Sequence, residues 1–262
     1  MTGKRPRILI LDIETAPILA RVWRTFKENV GLNQIETDWY LLSYAAKWLG
    51  EKAIQYQDQS EVPDIEDDRG LLAGLHELLD EADIVVAHNA RKFDVPKINA
   101  RFITNGFPPP SPYKVHDTLE IAKRTFKFTS NRLEFLTGAL CTEKKLTHAK
   151  FPGFELWKQC LLGNPAAWKE MKKYNIQDVK SLEELYIKLR AWDPRAPHLG
   201  VYSDDTHVCP KCGSGNVQRR GTYHTQVGEY QRYQCTDCGG WSRGGVLINT
   251  PSKRRSLLRN AT

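Results

Sequence analysis

The chain has 262 residues, 38 of them Lys or Arg and 31 Asp or Glu, for a net charge of +7. That length holds a core domain plus a small module, and no apolar run approaches the roughly 18 residues that cross a bilayer, which sets aside a membrane-spanning protein. Residues 1–7 lead straight into the short apolar run 8–11, without a secretory core or a small-residue cleavage site, so a soluble, cytoplasmic chain is expected.

Residues 7–12 form a short strand-like run that ends in an acid. Two more extended stretches, 41–48 and 53–57, flank Gly50 and make a hairpin-rich start. A helical pattern follows from Asp67 through Leu71, Leu72, Leu75, Leu78 and Leu79, a spacing that lines the leucines along one face. Residues 84–87 read as a buried strand. Further helices are predicted over 95–105, ended by Pro108 to Pro110, and over 118–126, 132–140 and 165–189. Antiparallel strands first, then alternating strand and helix, predict an α/β fold with a mixed sheet flanked by helices. The breaker-rich stretch 192–200 has no periodicity. A domain is therefore expected over 1–194, a linker over 195–206, a small β-rich module over 207–245 and a basic tail over 246–262. The tail, with Lys253, Arg254, Arg255 and Arg259, is expected to be disordered.

Asp12 and Glu14 stand two apart at the end of the first strand, so both carboxylates project from one face. Like charges placed side by side repel, and the usual reason to place them so is a shared divalent cation. Alone the pattern is weak, because D-x-E arises about once by chance in a chain of this size. Asp64-Ile65-Glu66 is such a match, but it lies in a polar loop, whereas Asp12 ends an apolar strand. After the strand 84–87 comes His88-Asn89-Ala90-Arg91-Lys92-Phe93-Asp94-Val95-Pro96. It puts Asp94 at a helix start beyond a strand's carboxyl end, where open α/β sheets collect ligands; a plain helix cap is the bland alternative. Tyr174 and Asp178, at i and i+4, share one face of the last long helix, against the alternative of a surface acid beside Lys180.

These stretches, D-x-E at Asp12 and Glu14, N-x3-F-D at Asn89, Phe93 and Asp94, and Y-x3-D at Tyr174 and Asp178, resemble the three exonuclease motifs of the DEDD superfamily. The similarity is to its Tyr-bearing subgroup, which includes family B polymerase proofreading domains and RNase D; Lys173 stands where the His-bearing subgroup carries histidine. The resemblance spans residues 7–190 and implies an RNase H-like fold and a metal-dependent 3′→5′ exonuclease. It implies that Asp12, Glu14, Asp94 and Asp178 hold two Mg²⁺ or Mn²⁺ ions. Asp12 would bridge them, Glu14 and Asp178 would complete the site of the attacking water, and Asp94 would hold the second ion directly or through water. Tyr174, with an ordinary pKa of about 10, would orient the nucleophile rather than deprotonate it. Thr15, Asn89 and Phe93 are expected at the terminal nucleotide, by hydrogen bonding and stacking. His116-Asp117-Thr118-Leu119 resembles the stretch that such relatives carry between the second and third motifs, with no catalytic role expected for Asp117.

Six cysteines in a cytoplasmic chain argue for thiols or metal ligands rather than disulfides. Cys141 and Cys160 fall in helical apolar patterns and read as core residues. Cys209/Cys212 and Cys235/Cys238 are two C-x2-C knuckles, each followed by glycine, with 22 residues between them. Four such thiolates suit one tetrahedral Zn²⁺ in a closed structural site; an iron site or a redox dithiol are the alternatives. The strand-like stretches between the knuckles resemble the zinc ribbons of transposases and other DNA-handling proteins. From His207 onward nine Lys or Arg face two acids, leaving 29 of each sign before it, so the positive field belongs to this segment. A basic segment of this density most often meets a polyanion, a solubilising tail being the alternative. Arg219, Arg220 and Arg232, interleaved with Tyr223, Tyr230, Tyr233 and Trp241, are expected to contact phosphates and stack on bases.

The sequence thus predicts a free-standing 3′→5′ exonuclease on single-stranded DNA ends, using two Mg²⁺ or Mn²⁺ and one structural Zn²⁺, in a short format that looks bacterial or phage-encoded. One rival is RNA 3′-end trimming by the same site, which no feature of the sequence excludes. Another is an idle nucleic-acid-binding adapter that uses the ribbon alone; an intact set of four carboxylates and a tyrosine argues against it.

Overall fold

A computed structural model describes residues 5–26, 29–146 and 148–261, in two units, one spanning Arg7–Tyr186 and the other holding Ile187–Thr262. Residues 1–4, part of the N-terminal stretch read above, lie outside the described residues.

The first unit is built on β1 (Ile8–Thr15), whose first four positions are buried. After β2 (Leu19–Ala20) and β3 (Ile35–Thr37), which pair only with each other, β4 (Leu41–Trp48) returns antiparallel beside β1, and β5 (Gln55–Asp58) extends that edge. The helix α1 (Arg69–Glu81) leads to β6 (Ile84–Val86), parallel to β1, then α2 (Asp94–Thr104) leads to β7 (Lys114–Val115), parallel to β6. The sheet order is β5-β4-β1-β6-β7. Among the described residues α3 (Thr118–Thr125), α4 (Leu133–Leu140), α5 (Glu155–Leu161) and α6 (Pro165–Arg190) follow, the last running from this unit into the next. This is the mixed sheet flanked by helices that the order of patterns predicts.

Alternation along β1 decides what each face does. Leu9, Leu11 and Ile13 join a core with Leu71, Leu72, Leu75, Leu78 and Leu79 of α1 and Ile98 and Phe102 of α2. Each leucine so buried contributes about 2 kcal/mol by transfer from water. A second core gathers Ala16, Tyr40 and Leu42 with Leu156 and Cys160 of α5 and Ala167, Trp168, Met171 and Tyr174 of α6. Cys160 and Cys141 are buried, as expected of core thiols. The β1–β4 register slips between Glu14, opposite Ser43, and Thr15, opposite Leu41, which leaves Leu42 as an extra residue. Such bulges re-aim side chains next to functional sites.

The second unit has a three-stranded antiparallel sheet, β8 (Val217–His224), β9 (Glu229–Cys235) and β10 (Trp241–Leu247), in the order β10-β9-β8. One expectation, that of a disordered tail, is corrected here. Within the stretch read as a linker, a 3₁₀ turn spans Leu199–Tyr202, with Leu199 buried and its N–H donated to the Pro210 carbonyl. The tail read as disordered forms α7 (Pro251–Ser256): the Thr250 hydroxyl caps the Lys253 N–H and Pro251 opens the first turn, start signals that outweigh the run of like charge.

Candidate active site and metal centre

Asp12 and Glu14 point away from the leucine core, and Asp178 meets them from α6. One carboxylate oxygen of each, from Asp12, Glu14 and Asp178, lies within 4.8 Å of the others. Asp178 is buried, and its Oδ1 has no hydrogen-bond partner among the described residues. Burial first, then Asp178, Glu14 and Asp94, pushes the Asp12 carboxyl well above the usual carboxylate range. Burial and Asp178 push Glu14 up to about 8. Asp178 is raised too, by burial, although Lys145, which donates to it, and the neighbouring Tyr174 hydroxyl work the other way. An orphaned buried oxygen among three crowded carboxyls fits a hard divalent cation, which would replace the missing counter-charge.

Asp94 is buried at the first position of α2 but stands outside that group of three. The β1–β6 pairing ends at Ile10, and beyond it the Ile13 N–H lies near enough to Asp94 to favour its charged form. Burial sets Asp94 at about 7 in spite of that N–H and its own, which both work the other way. Its charge still bears on Asp12 and Glu14. Before it, Asn89 takes a positive φ of 79°, and Phe93 remains 36 % exposed. Thr15 lies half-buried at the end of β1, opposite Leu41.

Tyr174, one turn before Asp178, is buried and close enough to it for each group to shift the other's pKa. Burial, then Asp178 and Glu14, raises its pKa, which disfavours a role as a base. Asp64 and Glu66 lie exposed in a loop, tied to each other by an Asx turn, apart from the site.

The structure adds residues that the sequence reading missed. Lys145 Nζ donates to Asp178 Oδ2 at 2.7 Å and lies 4.6 Å from the Tyr174 ring centre. Trp157 Nε1 donates to Glu14 Oε2 at 3.1 Å. Asn175 Nδ2 donates to Asp12 Oδ2 at 2.6 Å, while Ser43 Oγ donates to Asn175 Oδ1 at 3.1 Å and so orients the amide. His148, Trp157 and Tyr174 meet edge to face, with ring centres 5.2–6.0 Å apart. Asn175 had a signal, lying inside Y-x3-D; Lys145 and Trp157 lie where no motif reaches.

In the second unit the four sulfurs of Cys209, Cys212, Cys235 and Cys238 lie within 4.8 Å of one another. The Cys209–Cys238 and Cys212–Cys235 separations are 3.7 and 3.6 Å. Four thiolates at about 2.3 Å from one Zn²⁺ require sulfurs about 3.8 Å apart, so the set fits a tetrahedral ion. The two knuckles repeat one conformation: Gly213 and Gly239 follow the second cysteine of each pair at φ of 75° and 73°, a left-handed turn that glycine adopts without strain. Arg219, Arg220 and Arg232 lie exposed on the strands of this unit.

The family profile of the RNase_H superfamily matches residues 9–190. The chain belongs to that superfamily, whose nucleases use divalent metals, and membership supports nuclease activity in general. Among solved structures the chain is similar to a family B DNA polymerase from the hyperthermophilic archaeon Pyrobaculum calidifontis, at 15% identity and a TM-score of 0.49, covering 73% of this chain and 26% of the polymerase. No curated protein matches it. Among the described residues no helix is long and apolar enough to cross a membrane.

Proposed function

We propose that this protein is a 3′→5′ exonuclease of the Tyr-bearing DEDD type, acting on single-stranded DNA ends, with a zinc ribbon as a second domain. One observation carries the reading: the carboxylates of Asp12, Glu14 and Asp178 converge within 4.8 Å, with buried Tyr174 one helical turn before Asp178. Mg²⁺ or Mn²⁺ bound to Asp12, Glu14, Asp178 and Asp94 would supply a hydroxide at neutral pH and a counter-charge for the leaving 3′ oxygen.

The chain's own groups do the positioning. Trp157 and Asn175 each donate to one acid, Glu14 and Asp12, and fix the direction in which the remaining lone pairs point. The Tyr174 hydroxyl stays protonated and orients the incoming water beside Asp178. Lys145 offers a cation where the scissile phosphate would bring negative charge. Phe93, Asn89 and Thr15 hold the terminal nucleotide by stacking and hydrogen bonding. Zn²⁺ on Cys209, Cys212, Cys235 and Cys238 would be structural, because four thiolates leave no open position.

The test is a ladder assay with 5′-labelled single-stranded and duplex DNA and RNA, with Mg²⁺, with Mn²⁺ and without either. Stepwise shortening of single-stranded DNA from its 3′ end, dependent on the metal, is expected. Internal cleavage, release from the 5′ end or no cleavage would overturn the proposal, and preferred shortening of RNA would replace it with RNA trimming.

A further inference from the structure

The three-stranded sheet of the second unit has two unlike faces. Along β9, Gln234, Arg232 and Tyr230 alternate onto one side, and their cross-strand partners share it: Trp241 opposite Gln234, Arg243 opposite Arg232, Tyr223 opposite Tyr230. The other side carries Tyr233 with Ser242 and Arg219 opposite it. The arginines of the first face lie over its rings: Arg232 is 4.8 Å from the Trp241 centre, and Arg243 is 4.1 Å from Tyr230 and 5.9 Å from Tyr223. The aromatics here do not simply fill a small core, since Trp241 and Tyr223 are each 47 % exposed. Gly221, at φ 70°, has the Arg232 guanidinium 3.5 Å from where a Cβ would stand, so the chain turns tightly beneath that side chain. A cleft of about 440 Å³ opens over the face, lined by Trp241, Arg232, Tyr223 and Arg243 and walled by Pro194 and Ala196, within the roughly 300–1,000 Å³ range of ligand sites.

We infer that this face is a base-stacking platform for single-stranded nucleic acid, with Trp241 and Tyr223 as the stacking rings and Arg232 and Arg243 as cations that also reach phosphate. The inference rests on and deepens the nucleic-acid reading above by naming the surface that holds the single strand and the side chains that stack on its bases. Exposed rings alternating with guanidinium planes accept unpaired bases of any sequence, which a duplex keeps inside its own stack. The positive field is in place, because the residues from His207 onward carry nine basic and two acidic side chains. Arg219, on the opposite face, contributes charge alone.

The experiment measures binding by fluorescence anisotropy, with the full chain as Asp12→Asn and no added divalent metal, so that affinity is read apart from cleavage. The probes are oligo(dT), oligo(U), a duplex, and an abasic strand with the same number of phosphates. Oligo(dT) and oligo(U) are expected to bind at least tenfold tighter than the abasic strand. Trp241→Ala combined with Tyr223→Ala should erase that difference, Trp241→Phe should keep most of it, and Arg219→Ala should weaken all probes equally. Circular dichroism melting of each variant checks that the sheet is intact. Equal binding of oligo(dT) and the abasic strand, preference for duplex, or a difference that survives the double substitution would overturn the inference. Absence of cleavage by the unsubstituted protein would sink the proposed activity and leave this binding result standing.

Discussion

Glu14 and Asp94 keep their protons to about 8 and about 7, against ordinary values of 4.5 and 3.8, because burial and neighbouring acids penalise the charged forms. Without metal the folded chain therefore holds these protons more tightly than the unfolded chain. The stability they contribute is complete below the ordinary values and is lost as pH rises through 7 and 8. The melting temperature measured without divalent metal should fall across that window and recover on adding Mn²⁺, and Glu14→Gln should flatten the fall; a flat profile in the unsubstituted protein would contradict this account. At the same scale, Asp12→Asn, Glu14→Gln, Asp94→Asn and Asp178→Asn should each cut the cleavage rate at least a hundredfold with the fold retained, while Asp64→Asn, in its exposed loop, should be silent. Near-normal rates in any two of the four would remove the metal assignment. Tyr174→Phe deletes one hydroxyl and leaves the ring against Trp157 and His148, so a rate loss of about a hundredfold, not abolition, is expected from single-turnover kinetics.

Asp117 shows how elements are held in place for the site. As the N-cap of α3 it accepts from the Leu119 and Glu120 N–H groups, and its carboxylate also accepts from the Asn89 and Arg91 N–H groups of the loop before α2. One buried acid thus caps a helix and pins a loop whose Asn89 has a strained φ. Asp117→Ala should cost about 3 kcal/mol, a lost cap plus orphaned N–H groups, read as a drop in melting temperature. It should also raise KM more than it lowers kcat, because Asn89 and Phe93 lose their support while the acids stay; unchanged stability would show that the loop is held otherwise. The longer elements were legible in the sequence, because the leucines of α1 repeat at helix spacing, and the short β6 was legible because its residues form a continuous apolar run. The two- and three-residue strands β2, β3 and β7 and the seven-residue α5 were not, since pieces this short show no period and exist by pairing or packing with distant partners.

For the molecule as a whole, charge is divided as the chemistry is. The acids of the proposed site all belong to the Arg7–Tyr186 unit, and the excess positive charge follows His207. Replacing Lys253, Arg254, Arg255 and Arg259 by Gln removes up to four phosphate contacts. At about 0.7 per contact, the slope of log K against log salt for a long single strand should flatten by roughly 3. Cleavage of a short oligonucleotide at saturation should change little. A kept slope with a lost rate would mean that the tail acts in the chemistry rather than in tethering.

The sequence by itself determined the fold class, the carboxylate and tyrosine motifs and the four-cysteine set, because each is written in residues close enough for strand or helix spacing to align them. Tertiary structure decided the rest. Trp157 reaches Glu14 across 143 residues and Asn175 reaches Asp12 across 163, Lys145 reaches Asp178 across 33, and Arg219 falls on the face opposite Trp241. Such contacts depend on sheet register and on which helix covers which face, and these follow from burying whole apolar faces, not from any local run of residues.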